Sequence, residues 1–218
     1  MIATVKLGLP IAMTILFEVT LFGVVALLLS PFGANIVASH QVALNFSSIM
    51  FMFPLSIGIA TSIRVAHLIG EERLEAAKKA VLSAILLGLS IAVVTATTTV
   101  LARVQIATLY TTDIQVIELA ASLMFLASLF QLSDSIQVIS AGALRGYKDT
   151  AMMSYITFTA YLLIGLPIGF ILALTDWIVP ALGASGFWIG FICGLSTAAV
   201  LLGARVHVIQ KKLMLKNT

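Results

Sequence analysis

Apolar residues fill six long blocks of this chain, near 7–29, 37–63, 80–101, 117–143, 151–174 and 186–204. A helix needs roughly 20 residues to cross the hydrocarbon core of a bilayer, so each block is long enough to span it. The blocks are continuous rather than strictly alternating, and longer than the ~10 residues of a membrane β-strand, which predicts helices. Short polar breaks separate them: SPFGAN (30–35), RVQIATLYTTD (103–113), LRGYKDT (144–150) and TDWIVPALGASG (175–186). The stretch RVAHLIGEERLEAAKK (64–79) is the strongly charged one and reads as a cytoplasmic basic linker, an amphipathic helix lying along the membrane surface. A basic tail, 205–218, closes the chain. Residues 1–218 therefore read as a single six-helix transmembrane bundle, all-α in class. Pro10, Pro54 and Pro167 fall inside apolar blocks, where a membrane bundle tolerates them, usually at kinks. Gly186, Gly190 and Gly194, like Gly165 and Gly169, recur every four residues, a spacing that lets helices approach closely.

Composition sharpens this. Hydrophobic residues make up 61% of the chain and charged residues 10%, against about 25% charged in soluble domains. The net charge of +3 follows from where the basic residues sit and marks no nucleic-acid patch. One cysteine, Cys193, excludes an intrachain disulfide, and with three scattered histidines it builds no zinc site. Lys6, Pro10 and the lack of a small-residue cleavage site argue against a cleaved signal peptide. With the N-terminus cytoplasmic, that side holds Lys6, Arg64, Arg73, Lys78, Lys79, Arg145, Lys148, Arg205, Lys211, Lys212 and Lys216, and the other side holds Arg103. Eleven against one is a strong positive-inside bias and places both termini in the cytoplasm.

Two acids lie deep within apolar blocks: Glu18 in LFEVTLF and Asp134 in FQLSDSIQV. An ionisable residue at the centre of a spanning helix costs about 2.5–3.5 kcal/mol on insertion scales and marks a functional site by default. Glu18 is 12 residues beyond Lys6 on an outward-running block, about 18 Å. Asp134 is 11 residues before Arg145 on an inward-running block, about 16 Å. Both fall near the middle of a core about 30 Å thick, where alternating-access carriers hold their coupling ions. Gln131 and Gln137 lie three residues to either side of Asp134, and Ser133 and Ser135 widen that polar face. Thr14 is the polar residue one turn from Glu18, whose setting is drier. Gln41 and Asn45 sit toward the outer half, at a possible cavity mouth, and His40 reads as interfacial. MFMF (50–53) offers soft, adaptable apolar surface. The plain alternative for either acid is a hydrogen bond that fixes helix packing.

The segments GLPIAMTILFEVTLFGVVALL, ASHQVALNFSSIMFMFPLSIG, QLSDSIQVISAGALRGYKDT and GLPIGF…GFWIGF resemble the NorM-type branch of the multidrug and toxic compound extrusion (MATE) family over essentially the whole chain. The resemblance implies one lobe, helices seven to twelve, of a two-lobed carrier about twice this length. It implies exchange of inward Na⁺ or H⁺ for outward cationic amphipathic drugs, without a further cofactor, in a bacterial inner membrane. Glu18 and Asp134 match the acids of the family's cation site in this lobe, Na⁺ ligands if coupling is to sodium. Two departures matter. Relatives often carry tyrosine one turn before the aspartate, where this chain has Phe130, and the first lobe is absent. The chain is thus expected to be a fragment, a truncated product or half of a split carrier, with an N-terminal half or a second copy of itself as partner. Other readings are an inactive or regulatory half, a lipid-linked oligosaccharide flippase, disfavoured by the lack of mid-depth Arg or Lys, and an intramembrane enzyme. The chain has neither a Gly-x-Gly-Asp nor an H-E-x-x-H motif, so no enzyme is expected.

Overall fold

Hydrocarbon offers no partner to a free backbone N–H or C=O, so a spanning segment must bond within itself. The computed structural model describes residues 2–216, with side chains from 5 to 215, and the described chain is helical nearly throughout. Helices α1 (Ile2–Leu29), α2 (Ala34–Gly70), α3 (Leu74–Thr108) and α4 (Ile114–Gly146) follow in order. The fifth span is composite: α5 (Thr150–Phe158), a π-helical turn (Thr159–Gly165) and α6 (Leu166–Leu174). Helix α7 (Ala184–Lys216) completes six segments long and apolar enough to cross a membrane.

The expected spans are present but longer at their polar ends. Residues 64–79 do not form a surface helix. Residues 64–70 end α2, residues 71–73 turn the chain, and α3 starts at Leu74. The charge pattern there reflects two helix ends, each burying one apolar face: Val65 and Leu68 on α2, Ala77 and Val81 on α3. The turn is closed by Arg73 N–H donating to the Leu68 carbonyl at 2.9 Å and by exposed pairs from Glu71 to His67 (3.1 Å) and Arg73 (3.2 Å). Likewise α3 takes in 103–108, and the basic tail continues α7 through Lys216. The Lys216 side chain and residues 217–218 lie outside the described residues.

Helix α4 is the centre of the bundle, packing against α2, α3 and α7, while α1 lies mainly against α5 and the π turn. Its inner end is rich in small residues, with Ser140, Ala141, Gly142 and Ala143 all buried. Small side chains replace the missing hydrophobic driving force by letting backbones touch. Gly142 meets the Gly58 backbone of α2 so closely that it has no room for a Cβ, and a Cβ at Gly58 would crowd the Val138 carbonyl of α4 at 3.0 Å. The four-residue glycine spacing serves the same end on the other side: Gly186 and Gly190 of α7 lie against Ala173 and Gly169 of α6. At the outer end, Asp113 caps α4 by accepting from Gln115 N–H at 2.9 Å, satisfying a first-turn donor.

Candidate ion-coupling site

Glu18 projects from α1 and is half-buried; Asp134 projects from α4 and is 2% exposed. The two carboxylates lie within electrostatic reach of one another. Among the described residues, neither takes part in a salt bridge. One oxygen of Asp134, Oδ1, is buried without a hydrogen-bond partner. A carboxylate left unpaired in a low-dielectric interior needs either a proton or a cation. Among the described residues, the basic group within electrostatic reach of Glu18 is Arg145, at the inner end of α4.

The polar face around Asp134 divides its partners between helices. Gln131 donates from Nε2 to Thr99 Oγ1 of α3 at 3.2 Å and leaves Oε1 unbonded. Ser133 shares a 2.7 Å hydrogen bond with Ser196 of α7. Ser135 Oγ and Gln137 Oε1 are buried without partners. A narrow groove between α2, α3 and α4 reaches Asp134 and Gln131, walled by Met50, Phe51 and Pro54 and by Ile91, Ala92 and Thr95. Pro54 has no N–H for the Met50 carbonyl, so an extra acceptor faces this region of α2. Met50 and Phe51 thus turn inward, whereas Met52 and Phe53 are exposed.

The other candidates bond or pack elsewhere. Thr14 is buried, but its hydroxyl donates to the Pro10 carbonyl of its own helix at 3.0 Å. Asn45 lies on an exposed face and accepts from Gln41 at 3.2 Å. Phe130 is buried in a ring cluster with Phe22 at 6.2 Å and Trp188 at 6.1 Å. His40 is fully buried within the bundle, and its Nδ1 accepts from Trp188 Nε1 at 3.2 Å. Its neighbours of similar type, Ser39, Ala43, Ser47, Gly58 and Thr61, are all buried on α2. That recurring small-polar stripe is the signal that places His40 on an inward face. Tyr161, from the π turn, carries no motif in the sequence yet is fully buried, and both acids act on it electrostatically. Its signal is position, because tyrosine in spanning helices favours the interfaces and this one lies mid-span.

Six apolar spans, five of them packed around a polar central helix, with two acids turned inward, define a multi-pass helical membrane protein. The family model MatE matches residues 10–171. The chain belongs to that family. It is 58% identical over 207 residues to the multidrug resistance protein NorM of Vibrio vulnificus (strain YJ016), covering 95% of this chain and 45% of that protein. It is 53% identical over 206 residues to the multidrug resistance protein MdtK of Proteus mirabilis (strain HI4320), covering 94% and 45%. The chain thus spans about half the length of these relatives and matches their C-terminal half. Among solved structures, a eukaryotic MATE transporter superposes with a TM-score of 0.84 at 25% identity, over 96% of this chain and 48% of that one. An outward-facing multidrug resistance MATE family transporter gives 0.83 at 21% identity, over 98% and 47%. These are transporters and not enzymes.

Proposed function

We propose that this chain is the C-terminal lobe of a cation-coupled multidrug antiporter of a bacterial inner membrane, with both termini cytoplasmic. Glu18 and Asp134 take up Na⁺ or H⁺ from outside. Their neutralisation changes how α1 packs against the rest of the lobe and favours outward release of a cationic amphipathic drug. The observation that carries this reading is the pair itself: two acids from different helices, within electrostatic reach of each other, neither in a salt bridge among the described residues. An ion shifts a conformational equilibrium only through its different affinity for the two states. Loose packing of α1, which touches α5 and the π turn more than α4, gives those states room to differ.

The second lobe comes from an N-terminal half or from another copy of this chain. A non-transporting, regulatory half is the second reading. Ethidium efflux from vesicles under an imposed pH or Na⁺ gradient tests both. The chain is expressed alone and together with the N-terminal half of a NorM relative. Coupled efflux in either arrangement, abolished by Glu18→Gln or Asp134→Asn and kept by Thr14→Val, is the expected result. Efflux that survives both acid substitutions would sink the ion-coupling assignment. No efflux in either arrangement would favour the regulatory half.

A further inference from the structure

Tyr161 is fully buried in the fifth span, and its phenol oxygen has no hydrogen-bond partner. The other large polar aromatic of the interior, Trp188, is satisfied by His40. A phenylalanine would fill the same space at Tyr161 without burying a bare hydroxyl, so the hydroxyl calls for a partner that the protein itself does not supply. Its backbone is unusual as well. Leu166 N–H donates to the Tyr161 carbonyl, five residues back rather than four, and this π-helical register inserts one extra residue into the turn before Pro167. Such single turns within α-helices are frequent at functional sites. The π turn packs against α1 and α7, and both Glu18 and Asp134 act electrostatically on Tyr161. Phe130, one turn before Asp134, brings no hydroxyl to the same region.

We infer that Tyr161, presented by the π-helical turn of the fifth span, is a third oxygen ligand of the cation held by Glu18 and Asp134. The inference rests on the ion-coupling reading of those two acids. The phenol oxygen turns its lone pairs to a bound Na⁺, or its O–H to a carboxyl oxygen when the site is proton-loaded. Hard cations favour such all-oxygen sets. Arg145 is the other charged group within reach of Glu18, and the hydroxyl gives the site an adjustable donor and acceptor that a guanidinium cannot supply.

The test uses the full chain in nanodiscs on a Trp177→Phe background, so that Trp188, in ring contact with Phe130, reports alone. Fluorescence is followed against NaCl at pH 8, with choline chloride holding ionic strength, and against pH in choline chloride. A saturating response abolished by Asp134→Asn establishes the acid site. On that footing, Tyr161→Phe raises the Na⁺ midpoint about tenfold, the loss of one hydrogen bond or ligand to a charged group. If the chain answers protons and not Na⁺, the pH midpoint moves by about one unit instead. Midpoints that match the parent within twofold, or within 0.3 pH units (~0.4 kcal/mol), overturn the Tyr161 assignment and leave the acid pair standing. Melting in choline chloride is the companion measurement. A Tyr161→Phe protein that melts markedly lower, or fails to fold, with no selective loss of ion response shows a structural hydroxyl and also overturns the assignment. A parent that responds to neither ion removes the acid site, and Tyr161 falls with it.

Discussion

Gly190 tests a close helix crossing. A Cβ placed there would stand 2.5 Å from Gly169 Cα, 2.6 Å from Gly169 N and 2.7 Å from the Gly165 carbonyl oxygen, where ordinary contact starts at 3.4 Å. All three atoms are backbone, so no side chain can swing aside. Gly190→Ala must part α7 from the fifth span by about 0.9 Å or strain both. Overpacking of this kind costs typically 1–3 kcal/mol, and the immovable partners put this case at about 3. Gly203 lies further along the same helix, and the nearest atom to its added Cβ is Ser140 Oγ at 4.0 Å. Gly203→Ala therefore gains the helix preference of alanine, up to about 1 kcal/mol. The assay is reversible unfolding in mixed micelles by rising SDS fraction, followed by circular dichroism and compared at equal lipid content. The expected gap between the two variants is about 3–4 kcal/mol. Gly190→Ala within about 0.5 kcal/mol of Gly203→Ala would refute the close crossing and the reasoning from glycine spacing.

Trp188→Phe removes the donor to His40 and leaves a buried imidazole with neither nitrogen bonded, so it should destabilise by about 2 kcal/mol or more in the same assay. A cycle with His40→Phe should give a coupling energy of at least about 0.5 kcal/mol; additive losses would mean that the pair is packing alone. Arg205 of α7 donates from Nε to Asp149 Oδ2 at 2.6 Å in a partly buried pair, and Gln210 donates to the Tyr147 hydroxyl at 3.2 Å, so α7 is tied to the turn between α4 and α5. Arg205→Ala should cost about 1–3 kcal/mol, whereas Arg73→Ala, which removes an exposed pair with Glu71, should cost under about 1; equal losses would contradict the burial argument.

Much of this molecule is legible in the sequence because a bilayer imposes simple length and charge rules. Six apolar blocks of spanning length become six spans, since hydrocarbon forces each segment to satisfy its own backbone. Glu18 and Asp134 stand out because a charge in such a block is rare, and counting residues from Lys6 and Arg145 sets both near one depth. The glycines of α7 and α6 announce their contact through spacing alone. The tertiary structure decided which face of each helix turns inward. In water that face is apolar and shows as a stripe. In lipid both faces are apolar, and α1 buries Leu21 and Val25 while exposing Val19 and Leu27 without any contrast in residue type. The sequence therefore does not show that His40 turns inward against Trp188 or that Tyr161 is fully buried. The packing likewise shows what the sequence does not about Thr14 and Asn45: one hydroxyl is bonded to its own helix and the other side chain lies on an exposed face. The charged run 64–79 resembled a surface helix because two helix ends joined by a three-residue turn carry the same amphipathic pattern as one continuous helix. Only the packing of α2 and α3 side by side separates those two cases.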